Sequence, residues 1–228
     1  MDRPHALWFA WLAVWAAGQG VYGAVAPWAV AATALATALL LALSLVLLPG
    51  GLALSRATLA FLAASAAVFA LQLLPLGFLF PTTAALQAAH KTTGLFCGTA
   101  DAFLTLRVLA QFAGYAASAL LVLKLRREGV SSSTVLQGLC AVLLVQAAYG
   151  LVQQFGGLKT LPFFGPRVSL DAASGSLVGR NTFAGLMAMG AVAAAALATS
   201  RFLGRRRIDS GIGWALAAAF FLVGLVLS

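Results

Sequence analysis

Seven apolar stretches of about 18–23 residues run through this chain, and nothing constrains its fold more. At 1.5 Å per residue such a stretch crosses a hydrocarbon core of about 30 Å as a helix. The stretches lie near 6–26, 28–48, 57–75, 102–123, 133–155, 182–200 and 210–227. Inside a bilayer no water satisfies open backbone groups, so each must close its own hydrogen bonds as a helix. Pro27, Pro49 with Gly50 and Gly51, and Pro75 fall between the early stretches, where a helix can be interrupted at little cost. The reading is all-α: one polytopic helical membrane domain over residues 1–228, with about seven transmembrane helices.

Composition excludes the alternatives. Only 8% of the 228 residues are charged and 62% are hydrophobic, at a mean hydropathy of +1.01. A soluble domain carries about 25% charged residues to cover its surface. A β-barrel would show short alternating segments of about ten residues instead. The net charge of +9 would suggest nucleic acid in a soluble chain, but here it has to be read by position. Alternate connections hold nine of the fourteen Lys and Arg residues: Arg3, Arg56, Lys124, Arg126, Arg127, Arg201 and Arg205 to Arg207. That side is expected to be cytoplasmic, which puts the N-terminus inside. The Arg205–Arg207 run is then a topology anchor, and no nucleic-acid partner is expected. The first stretch ends in a small-residue run, Gly23-Ala24-Val25-Ala26, resembling a signal cleavage site. Its weak n-region charge and long apolar run favour a retained helix. Cys97 and Cys140 fall in a loop and a span and are not expected to pair. His5 and His90, the only histidines, form no zinc pattern with them, and no metal or other cofactor is expected.

The long connections, about 76–101 and 156–181, both face outward on this topology. The second carries Lys159, Arg167 and Arg180 against Asp171, a basic excess on the side where the rule disfavours it. Arg180 stands at the start of the sixth stretch, with Asn181 placed to cap that helix and Thr182 as the spare. A helix N-terminus beside a guanidinium suits a diphosphate. An arginine reaching for lipid headgroups is the competing reading. Arg107, about five residues inside the fourth stretch, is an intramembrane charge and hence a functional candidate. Gln153 and Phe183 are candidate cavity-lining residues; Gln146 and Gln154 lie close by. Trp8, Trp11 and Trp15 share one helical face, as helix packing or an aromatic belt would place them. Gly114-x-x-x-Ser118 and Ala184-x-x-x-Ala188 are close-packing pairs.

Tyr149-Gly150-Leu151-Val152-Gln153 closing one stretch, and Gly175-Ser176-Leu177-Val178-Gly179-Arg180-Asn181-Thr182-Phe183-Ala184-Gly185-Leu186 opening the next, resemble the O-antigen ligase and polymerase superfamily. The family pattern there is roughly Gly-Thr-Phe-x-Asn-Arg/Pro-Asn-x-Phe-Ala-x-x-Leu. Arg180, Asn181, Phe183 and Ala184 match it, whereas Leu177 and Gly179 depart from it. Gln72-Leu73-Leu74-Pro75-Leu76 is also similar to the family. The resemblance implies an inner-membrane glycosyltransferase that moves a glycan from undecaprenyl diphosphate to an acceptor, such as lipid A–core, on the periplasmic face. Diphosphate contacts would come from Arg180, Asn181, Arg167 and Arg107. The family's histidine base lies in a later external loop with no counterpart here, and the likeness covers roughly the family's first half. The chain is therefore expected to be a truncated or split member that needs a missing C-terminal half as partner. Two alternatives stay open: a non-catalytic membrane subunit, and a subunit that transports an anion or a lipid-linked sugar.

Overall fold

The computed structural model describes residues 2–20, 27–52, 54–73, 102–156, 160–161, 165–166, 180–204 and 208–228. Among them are seven helices: α1 (Arg3–Gly20), α2 (Pro27–Leu47), α3 (Arg56–Leu73), α4 (Ala102–Arg127), α5 (Ser132–Phe155), α6 (Arg180–Leu203) and α7 (Ile208–Val226). One helix answers each apolar stretch. Between α5 and α6, Thr160–Leu161 pairs antiparallel with Gly165–Pro166, which leaves the architecture helical. Five helices, α2 and α4 to α7, are long and apolar enough to cross a membrane. Large apolar side chains such as Leu39, Val46, Phe155, Val192 and Val226 stand exposed on them, as a lipid-facing surface requires and a water-facing one does not.

Local chemistry explains the helix ends. Proline opens α2, where its missing N–H would have had no partner. Ser55 Oγ accepts the Thr58 N–H at 3.0 Å before α3, and Ser131 Oγ accepts the Thr134 N–H at 3.0 Å before α5. The fourth helix runs to Arg127, one turn beyond the predicted 102–123. It stops in a Schellman motif: Gly129 takes φ 103°, Val130 N–H reaches Leu125 O at 3.0 Å, and Gly129 N–H reaches Arg126 O at 3.3 Å. Leu125 and Val130, both buried, supply the apolar contact that accompanies this motif.

Two packed groups make up the molecule. In one, Leu7, Trp8, Trp11 and Leu12 of α1 pack with Leu48, Leu121 and Leu125. In the other, Cys140 and Leu143 of α5 pack with Phe183, Met187, Ala194 and Leu197 of α6 and Phe221 of α7. Helices α1 and α5 join the two groups. A Cβ on Gly138 of α5 would lie 2.6 Å from Leu12 Cδ1 and 2.9 Å from Trp8 Cζ2. The tryptophans are packing residues: Trp8 and Trp11 are buried and stack with ring centroids 5.0 Å apart. Cys140 is buried and free. The third helix stands apart, touching α4 through Phe61 and Phe69, whose rings lie 6.4 and 5.6 Å from that of Phe112.

The alternate connections share one end of the bundle. Beyond α2, Leu48 O accepts from Lys124 Nζ at 3.2 Å, and Gly50 N–H donates to Glu128 Oε1 at 2.9 Å. Arg201 Nη2 at the end of α6 reaches Ser133 Oγ at the start of α5, 3.4 Å away. Lys124 is fully buried and pairs with Glu128 at 2.8 Å. By sequence it falls in the connection after the fourth apolar stretch. In the fold it ties the end of α2 to α4, its charge met by the Glu128 carboxylate and by Leu48 O just past α2. Hydrogen bonding and the charge of Lys124, with the Gly50 N–H, hold the Glu128 carboxyl below its ordinary pKa, although partial burial opposes them.

Candidate functional site in the helical bundle

At the other end three helices each give one stripe to a common cavity of about 390 Å³. Trp11, Trp15, Gly18 and Gln19 line it from α1; Val30, Thr33, Ala34 and Thr37 from α2; and Arg107, Gln111, Gly114, Tyr115 and Ser118 from α4. Every set follows the three- and four-residue spacing that puts side chains on one helix face. Arg107 and Ser118 are eleven positions apart, so the wall extends about 16 Å along the helix axis. Small residues bring the walls together. A Cβ on Gly114 would meet Ala34 Cβ at 3.1 Å, and one on Gly18 would meet Thr33 Oγ1 at 2.8 Å.

The lining has a definite polarity. Thr33 Oγ1 donates to Ala29 O at 2.7 Å, and Thr37 Oγ1 donates to Thr33 O at 2.8 Å. Their protons are spent on their own helix, which leaves oxygen lone pairs for the cavity. Trp11 Nε1 donates to Ser118 Oγ at 3.2 Å and pins α1 to α4 along the same wall. The strong donor is Arg107, a half-buried residue near the α4 start.

The second group of helices reaches this cavity through Thr182 of α6. Helix α6 begins at Arg180, earlier than predicted, so Asn181 lies within the first turn instead of capping it. Asn181 and Thr182 are exposed, and the N–H groups of this first turn have no partner within the helix. Arg107 and the segment around Arg180 are 73 residues apart in sequence, and the fold brings that segment, through Thr182, to the cavity Arg107 lines.

Other candidates go elsewhere. Phe183 is fully buried in the α5–α7 core, its Cε1 3.9 Å from where a Cβ on Gly224 would stand. One residue beyond Thr182, it points about 100° round the helix, into packing. Gln153 is fully buried on α5 and is not among the residues lining this cavity. Arg167, the Arg180 side chain, Cys97 and His90 lie outside the described residues. Gln19, Thr33, Thr37 and Gln111 escaped the sequence reading. The signal for the α4 wall was present, since Arg107, Gln111, Gly114 and Ser118 form a polar and small stripe at i, i+4, i+7 and i+11 in an otherwise apolar helix.

No protein-family model, curated protein or solved structure matches the chain.

Proposed function

We propose that this chain is a bacterial inner-membrane protein that crosses the bilayer seven times from a cytoplasmic N-terminus. In this reading it holds the diphosphate of a lipid-linked glycan donor between Arg107 and the first turn of α6. One observation carries the proposal: Arg107 and the opening of α6 reach the same cavity. A guanidinium and unsatisfied helix N–H groups both favour phosphoryl oxygens. The segment opening α6 also bears the resemblance to the O-antigen ligases. The role is donor binding in glycan transfer, with charge on the departing diphosphate stabilised by these groups. No base for the acceptor hydroxyl is assigned: His5 belongs to the opposite end, at the start of α1, and His90 lies outside the described residues.

The test is binding of a polyprenyl diphosphate to the purified full chain. Replacing Arg107 or Arg180 by Gln should each cost about 1.5–3 kcal/mol, or about 10- to 150-fold in Kd. Arg107→Lys should recover only part of this, because the planar fork is lost. Arg201→Gln, at the other end, should change nothing. Unchanged affinity in both the Arg107 and Arg180 variants would refute the site. Single-cysteine labelling in a Cys97→Ser, Cys140→Ala background tests the topology: residues 159–170 should react in intact cells, and 205–207 only after permeabilisation.

The depth of the polar wall favours one rival. A site reaching the middle of the bundle suits a transported solute, and anion flux through proteoliposomes that Arg107→Gln abolishes would establish that reading instead.

A further inference from the structure

The side of α4 turned toward α3 is covered over only part of its length. Phe112, Ala119, Leu123 and Arg126 stand at i, i+7, i+11 and i+14, so they share one helix face. Phe112 is held between Phe61 and Phe69 of α3. Toward the basic end the cover is lost: Ala119 is exposed, Leu123 is 47% exposed, and Arg126 is exposed, as is its neighbour Arg127. Past Phe112 this face of α4 is thus an uncovered apolar strip that ends at two guanidinium groups.

Glu128, the nearest carboxylate in sequence, is taken up by Lys124 Nζ at 2.8 Å and by the Gly50 N–H at 2.9 Å. Among the described residues Arg126 and Arg127 make no ion pair. They also stand at the end of a helix long and apolar enough to cross a membrane, where a headgroup layer would meet them. A guanidinium matches a phosphodiester with two parallel hydrogen bonds, and basic recesses between helices on the cytoplasmic side suit anionic headgroups.

We propose that the uncovered strip of α4 forms a wedge with α3 that binds an anionic phospholipid, its phosphate on Arg126 and Arg127 and an acyl chain along Leu123 and Ala119. This site lies at the end of the bundle away from Arg107 and does not depend on the donor-binding reading. The occupant seals α3 to the bundle where the phenylalanines leave it open.

The full chain would be reconstituted in nanodiscs of phosphatidylcholine with a minority of phosphatidylglycerol, then transferred to neutral detergent. Retained lipid is counted by native mass spectrometry, and folding is followed by thermal melting. The wild-type chain should retain phosphatidylglycerol in preference to phosphatidylcholine, and Arg126→Gln with Arg127→Gln should cut that preference by about an order of magnitude. Leu123→Trp, which fills the wedge and keeps both arginines, should reduce retention of either lipid. Arg3→Gln, at the same end on α1, should leave the preference intact. The proposal is overturned if the wild type shows no preference, if the double variant keeps it, or if Arg3→Gln abolishes it equally. The last outcome would make the effect one of overall surface charge. Should the double variant melt early, Leu123→Trp decides alone: unchanged retention there overturns the wedge.

Discussion

Glycine-to-alanine replacements along α6 and α7 should split by sign, and the structure fixes which goes which way. A Cβ on Gly190 would stand 2.8, 2.9 and 2.9 Å from Cε1, Cδ1 and Cζ of Phe221. Carbon pairs are at ease near 3.5–4.0 Å, so the ring and helix must part by about 0.7 Å. Phe221 is fully buried against α5 and α6, with no free direction in which to give. Overpacking of this kind costs about 1–3 kcal/mol. Against it stands the better helix propensity of alanine, about 1 kcal/mol. Gly190→Ala should therefore destabilise by up to about 2 kcal/mol. Gly185 and Gly213, on the same two helices, have nothing within 4 Å of the added carbon, so alanine there should stabilise by about 0.5–1 kcal/mol. Gly224 is intermediate, because Met187 Sδ at 3.1 Å belongs to a flexible thioether that can turn aside. Reversible unfolding in mixed micelles measures all four. Phe221→Leu in the Gly190→Ala background should recover part of the loss. Equal shifts at Gly190 and Gly185, or no recovery, would refute this account of the α6–α7 contact.

Three further outcomes follow from other contacts. The folded Glu128 carboxyl titrates below its ordinary pKa because of Lys124, so its stabilisation is present above the unfolded value of about 4.3 and is lost as pH falls through the folded one. Melting profiles from neutral to acid pH should show wild type losing its advantage over Glu128→Gln; a constant difference would dismiss the pair. The Trp11–Ser118 hydrogen bond should give a coupling of about 0.5–1.5 kcal/mol in a double-mutant cycle of Trp11→Phe and Ser118→Ala, and additive losses would mean that the two residues do not interact. Gly138→Ala should push α1 from α5 at Leu12 and Trp8. Because the cavity draws walls from both helix groups, polyprenyl diphosphate affinity should fall although the substitution touches no cavity residue; undiminished binding would argue that the groups are joined elsewhere.

Much of the fold was legible because a bilayer leaves an apolar segment one solution, and seven stretches became seven helices. The misreadings came where a polar residue was assigned by type alone. Lys124 looked like a loop charge, yet a Schellman turn and Glu128 let α4 carry it into a buried position. Asn181 looked like a cap, yet α6 starts at Arg180. Of the cavity, only the α4 stripe from Arg107 to Ser118 stood out in one segment. Thr33 and Thr37 were silent because a threonine bonded to its own helix is unremarkable until its neighbours are known. Which helices face each other is decided by long-range packing, through contacts such as Gly114 on Ala34 and Gly138 on Trp8, and no local pattern reports it.

The same contacts explain how a polar cavity persists in so apolar a bundle. An unsatisfied donor buried in hydrocarbon is costly, and the walls largely avoid the cost. The threonine protons go to backbone carbonyls one turn earlier, and the Trp11 N–H goes to Ser118. What else faces the cavity is threonine lone pairs and tryptophan ring faces, together with the amides of Gln19 and Gln111. The guanidinium of Arg107 is placed where α4 begins and the opening of α6 arrives from the other helix group. Charge and helix dipole thus meet at one end of a wall whose deeper part is nearly self-satisfied. In the donor-binding proposal an anionic group sits at the Arg107 end of this wall. On that proposal the ligand's neutral remainder lies along the deeper wall of Trp11, Thr37 and Ser118, an asymmetry that suits a lipid-linked phosphate better than a freely hydrated ion.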